Sequence, residues 1–198
     1  MLQRVQKKRE MNVINNLRIG LFILLIAAFK GDPLSAAKRF SAQTFKLANG
    51  LQVIVLENKR APIVHHSLWF KCGSVDDPEG ESGTAHFLEH MMFKKSQNQQ
   101  GDYSAELAAK GATYNAFTTR DLTCYYVEIG KKHLPFVMEL EAKRFPAHLA
   151  VDAKDMEAER QVIIEERLNR IENSPKALWQ EGIGNALYWH HPYPRPVI

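Results

Sequence analysis

Cysteine is nearly missing from this sequence: its 198 residues include two, Cys72 and Cys124. Two thiols exclude a disulfide-stapled scaffold and a zinc module built from cysteine. Both fall in or beside strand-like segments, which leaves one bridge between neighbouring strands, or two small buried side chains, as the open readings. A long apolar run is missing too. The stretch from Ile19 to Phe29 is broken only by Gly20, but eleven helical residues rise only about 16 Å, roughly half of a hydrocarbon core. There is no internal repeat and no low-complexity tract. Nor is there a lasting excess of one charge sign. The net charge is +4, but residues 1–37 hold six of the 26 basic and two of the 22 acidic residues, which leaves twenty of each in the remainder. A nucleic-acid-binding role therefore loses its electrostatic support.

What the front segment does contain is a basic stretch ending at Arg18, the apolar run, and the small-residue patch Ser35-Ala36-Ala37. That is the layout of a signal peptide, with Met11 as an alternative start that gives a more usual signal length. Residues 1–37 are thus expected to be a signal peptide or N-terminal anchor. The protein is expected to be exported, periplasmic or secreted, and membrane-bound only if the segment stays uncleaved. Residues 38–198, rich enough in apolar side chains for one substantial core, form the expected single domain.

Strands are expected at 44–47, 51–57 and 63–70, with Asn49-Gly50 between the first two as a tight-hairpin signal that favours positive φ at both positions. The second of these reads as buried on one face. A polar, turn-rich loop over 73–83 leads to a helix at 84–94. A short helix over 105–109 ends at Gly111, strands follow at 113–117 and 123–129, and helices at 133–146, 152–172 and 175–189. Strands first and helices afterwards imply an α+β fold, an antiparallel sheet covered by helices. Trp69, Phe70, Tyr125 and Tyr126 fit core strand positions. His65-His66 and His190-His191 are poor chelators, because adjacent residues on a strand face opposite sides.

The residues with most chemistry lie in Thr84-Ala85-His86-Phe87-Leu88-Glu89-His90. On a helix, His86 and His90 are four apart and project from one face, so both can grip one ion. Glu89 overhangs the same edge and can reach a metal-bound water without ligating. Zinc lowers the pKa of such a water and a nearby carboxylate relays its proton. The pattern reverses H-E-x-x-H. A hydrolytic zinc site needs three protein ligands and one open position, so a third ligand is required elsewhere. The stretch 155–168 offers Glu159 and Glu166, seven apart and so on one face, where one can ligate while the other braces the site. Glu157 and Glu165, among Lys154, Arg160, Arg167 and Arg170, read as a solvated face.

The segment 82–94 closely resembles the zinc-binding segment of the pitrilysin (insulinase) family of metallopeptidases. Three more blocks resemble that family in order: Asn49-Gly50-Leu51; Gly111 to Thr119 with Asp121 and Thr123; and Glu159 to Glu166. The resemblance runs from about residue 43 to the last. It implies that His86, His90 and Glu166 bind one zinc ion, that Glu89 is the catalytic base and that Glu159 is a supporting carboxylate. Glu165 is the rival ligand if the helix register is shifted. It also implies that the strand carrying Asn115 and Ala116 borders the cleft and pairs with extended substrate backbone. For Asn115 a turn-forming side chain bonded to its own backbone is the competing reading.

Two departures stand out. Lys95 replaces a glycine usual after Phe-Lys, and the sequence stops at residues 191–198 inside another family-like block. Enzymes of the family close two halves around a peptide, so a second homologous half or subunit is the expected partner. The expected activity is zinc-dependent endopeptidase action on extended peptides. The alternative is a non-catalytic or truncated member that binds peptides or acts in assembly; a third reading is a membrane-tethered module whose His pair is structural.

Overall fold

The computed structural model of the chain describes residues 41–94, 102–145 and 153–198. The signal-like segment and Lys95 lie outside these. Two units separate, one ending at Arg60 and one running from Ala61 to Ile198.

The first unit contains a hairpin of β1 (Ala42–Lys46) and β2 (Gln52–Leu56), paired antiparallel from Ala42↔Leu56 to Lys46↔Gln52. The turn differs from the expected one. Gly50 alone has positive φ, at 87°. Gly50 N donates to Leu47 O, and Leu47 N donates to Leu51 O. This is a three-residue loop, a tight turn followed by a left-handed glycine, in place of the two-residue form that needs positive φ at Asn49 as well. Asn49 instead turns its side chain onto the backbone, accepting from Leu51 N at 3.1 Å. The expectation of a buried face on β2 also fails: apart from half-buried Val53 its residues are exposed, as befits a two-stranded ribbon with no layer of its own to pack on.

The second unit is built on three antiparallel strands, β3 (Ile63–Phe70), β4 (Thr113–Thr118) and β5 (Thr123–Gly130), in the order β3-β5-β4. β5 is central and the most buried, with Cys124, Tyr125, Val127 and Ile129 inside. β4 pairs with β5 along one edge and, among the described residues, has no strand on the other. Helices α1 (Thr84–Met91), α2 (Tyr103–Ala108) and α3 (Leu134–Arg144) pack against the sheet, while α4 (Ala153–Arg167) packs on α1. The core joins Tyr103 and Leu107 of α2, Val127 and Ile129 of β5, and Val137 and Leu140 of α3. α4 gives way to a π-helical segment, Leu168–Glu172, where one helix to 172 was expected, and α5 (Pro175–Leu187) follows behind a Ser174 cap. Trp69 and Phe70 depart from their expected core positions: Trp69 is 59% exposed and packs edge-on against Phe117, and Phe70 beside it is exposed as well.

Two buried polar constructions fix α1 at its ends. At the start, the Asp77 carboxylate, itself buried, accepts from Gly83 N and Ala85 N at 2.8 Å each, satisfying amides that a helix start leaves without intrahelical partners. At the other end, the Arg144 guanidinium, fully buried, donates to Met92 O at 2.9 Å and to Glu141 Oε2 from Nε and Nη2 at 3.0 and 2.7 Å. Tyr103 donates to the other Glu141 oxygen at 2.7 Å. The cation also lies over the rings of Tyr103 and Phe145, at 4.1 and 4.6 Å. Charge, hydrogen bonds and ring faces together compensate its burial.

The loop before α1 is stitched to the β4–β5 turn. Ser74 N donates to Thr119 O and Val75 N to Arg120 O, and the approach is so close that a Cβ on Gly73 would meet both carbonyl oxygens at 2.5 Å.

Candidate metal centre and active site

α1 presents His86 and His90 to one side, as their spacing requires, with ring centroids 4.6 Å apart. α4 lies across that side and brings in two carboxylates. Glu166 Oε2 is 3.6 Å from His86 Nε2 and 3.3 Å from His90 Nε2. Ligands about 2.0–2.2 Å from a tetrahedral zinc ion stand about 3.4 Å from one another. The two distances to Glu166 Oε2 are close to that spacing, all three residues offer donor atoms within 4.8 Å of one another, and the two-imidazole, one-carboxylate set suits zinc. These residues could hold a metal.

The surroundings favour the ligating forms. Burial, followed by the neighbouring His90, holds His86 below the usual imidazole range, so near neutral pH its ring is uncharged. Glu159 Oε1 is 2.8 Å from His90 Nδ1, and Lys94 Nζ is 2.6 Å from Glu159 Oε2. Burial pushes the Glu159 carboxyl up, but the hydrogen bonds from Lys94 and His90 outweigh it and leave it below the ordinary range. Arg170 pairs with the other oxygen of Glu166. Glu89 is buried beside this cluster, and Thr118 Oγ1 on β4 donates to its Oε2 at 2.5 Å. Burial raises the Glu89 carboxyl, against the opposing pull of that hydrogen bond.

All of these groups face an open cleft of about 600 Å³, whose wall includes Asn115, Ala116, Phe117 and Thr118 of β4 and Val162 of α4. The six residues expected from the sequence to share a site, His86, Glu89, His90, Asn115, Ala116 and Glu166, are all there, with Glu159 behind His90. Glu165, the rival ligand, is exposed and outside the cleft wall. Asn115 Oδ1 accepts from Ala116 N at 2.9 Å, which is the self-bonding arrangement weighed against a substrate contact. Cys72 is exposed and Cys124 buried, and both are free. His65 pairs with Glu128 at 3.1 Å and stacks on Tyr126.

Sequence reasoning did not find Lys94, Thr118 or Arg170. Each had a periodic signal: Lys94 and Arg170 stand four residues after His90 and Glu166, and Thr118 shares strand parity with Ala116.

A helical pair of histidines with a buried carboxylate beside them, completed by a glutamate from a second helix over an antiparallel sheet, defines a metallopeptidase-type centre. The chain belongs to the insulinase family (peptidase family M16), whose model matches residues 53–198. Among its relatives are the zinc protease PqqE of Helicobacter pylori, 34% identical over 76% of this chain and 34% of that protein, and an uncharacterized zinc protease of Mycobacterium bovis, 33% identical over 84% and 38%. The ubiquinol-cytochrome-c reductase complex core protein I of Euglena gracilis is 36% identical over 61% of this chain and 24% of its own length. The crystal structure of a protease from Helicobacter pylori superposes with a TM-score of 0.73 at 31% identity, covering 79% of this chain and 38% of that one. The chain spans about a third of the length of the first two relatives.

Proposed function

We propose that this chain is the metal-bearing part of a zinc-dependent endopeptidase acting on extended peptides, with one zinc ion held by His86, His90 and Glu166. The observation that carries the reading is the convergence of His86 Nε2 and His90 Nε2 on Glu166 Oε2, at 3.6 and 3.3 Å. Bound there, zinc would polarise a water molecule and the carbonyl under attack. Glu89 supplies the proton transfers. With Oε2 engaged by Thr118, its Oε1 takes the proton released in the attack and returns it to the amine nitrogen that leaves. A carboxyl raised by burial is a better base for that purpose than an exposed one.

The edge of β4 that has no strand beside it among the described residues suits an extended peptide, whose backbone would add as a further strand beside Asn115 and Ala116. Closure of the cleft falls to a second homologous half or subunit, the partner this reading requires. Export, to the periplasm or the medium, fits the composition of residues 1–37.

Elemental analysis of the purified chain tests the centre. Zinc near one per chain is expected, lost in His90→Ala and Glu166→Gln and retained in Glu165→Gln. Retained zinc with no peptide cleavage, even with the partner half supplied, would move the reading to a peptide-binding or assembly role.

A further inference from the structure

One cation, Lys94, reaches the centre through Glu159, a carboxylate that is not among the three proposed ligands. The chain leaves α1 at Met91 but keeps turning, with Phe93 N donating to His90 O and Lys94 N to Met91 O. Lys94 therefore stays four residues, about one turn, from His90, and both side chains reach toward α4. Its ammonium is 2.6 Å from Glu159 Oε2, while Glu159 Oε1 is 2.8 Å from His90 Nδ1. The Glu159 side chain is only 11% exposed. Protein groups, not solvent, thus hold both of its oxygens. A carboxylate can only accept, so the Glu159 contact calls for a proton on His90 Nδ1 and leaves Nε2, 3.3 Å from Glu166 Oε2, as the nitrogen that faces the other two donor atoms. His86 has no equivalent support: its Nδ1 is buried with no hydrogen-bond partner among the described residues. The two histidines are unequal. Among the described residues no group hydrogen-bonds to His86 Nδ1, whereas a hydrogen-bonded chain that starts at Lys94 orients His90.

We propose that Lys94 is a positioning residue of the metal centre, acting through Glu159 to fix the ring orientation and tautomer of His90. This rests on the reading that His86, His90 and Glu166 hold zinc. Without the ammonium, Glu159 Oε2, on a side chain only 11% exposed, loses its charged donor, and the carboxylate can turn away from Nδ1. Repulsion between Lys94 and a bound dication works in the opposite direction. An intervening carboxylate and the 40% exposure of Lys94 screen it, whereas losing an outer partner of a ligating histidine costs about 10–100-fold in metal affinity.

Two measurements on the full chain test this. Zinc affinity is read by competition with a chromophoric chelator, and the His90 Nδ1–H group by proton–nitrogen correlation of the zinc-loaded, nitrogen-labelled protein. Lys94→Met is expected to weaken zinc binding about tenfold and to broaden or abolish the His90 Nδ1–H signal through faster exchange with solvent, with Lys94→Arg restoring both. Lys143→Met, which removes an exposed lysine–glutamate pair of similar length with Glu139, is expected to change neither. Affinity within twofold of wild type in Lys94→Met overturns the proposal. So does weakened binding without a change in the His90 ring, which would mark a general structural effect. A wild-type chain that takes up no zinc overturns the metal reading itself, an outcome separate from either.

Discussion

The carboxylates of Glu159 and Glu166, seven residues apart on α4, meet opposite nitrogens of one imidazole: Glu159 Oε1 lies 2.8 Å from Nδ1 of His90 and Glu166 Oε2 lies 3.3 Å from its Nε2. A spacing of two helical turns is thereby matched to the breadth of a histidine ring. One helix provides the proposed ligand and the group that aims its neighbour.

Glu159 should also mark the acid limb of stability in the metal-free protein. Its carboxyl is held below the ordinary glutamate range, so its stabilising contribution is fully present above that range and is lost as pH falls through the lowered value. Glu159→Gln is expected to lower the melting temperature near neutral pH and to flatten its decline under acid conditions, measured by thermal melts across pH 3 to 7.

Replacement of the proposed base should separate binding from turnover. Glu89→Gln is expected to retain zinc and to lose about 10²–10⁴-fold in kcat, assayed on an extended peptide with the partner half present. Thr118→Val is expected to cost about tenfold in kcat with little change in KM, and Thr118→Ser to recover most of it.

At the start of α1, Asp77→Ala removes the acceptor of two amides. A loss of about 1–2 kcal/mol is expected, read by urea denaturation, with zinc affinity falling alongside because the same helix carries both histidines.

Arg144→Met should be more severe. It leaves the Glu141 carboxylate buried without its cation, and breaking a buried pair typically costs about 3–5 kcal/mol. The double variant Arg144→Met, Glu141→Gln is expected to recover part of that loss in the same denaturation experiment.

The sequence made the α1 face readable because a four-residue spacing on a helix leaves little choice, and the pairing of Glu159 with Glu166 followed from the same rule. Element order and the antiparallel sheet were legible from where apolar alternation gave way to helical spacing. The parts not read were those that depend on tertiary approach. Asp77 lies in a loop whose polar composition looks like ordinary solvated turn, and nothing local says that its carboxylate turns back onto the helix. Arg144 looks like a surface residue until four aromatic side chains and Glu141 close around it. Asn49-Gly50 signalled a turn correctly but not its type, since the dipeptide suits more than one loop length. Trp69 carried strand propensity, which does not say which face of a sheet is covered.

The open edge of β4 has a consequence for handling the protein. A six-residue strand with no strand on its outer edge among the described residues and with exposed Thr113, Asn115 and Phe117 offers the same template to a second copy of the chain as to a peptide. Self-association through that edge would rise with concentration and compete with the peptide for the same backbone groups, so measurements in dilute and in concentrated solution should not agree until the edge is occupied.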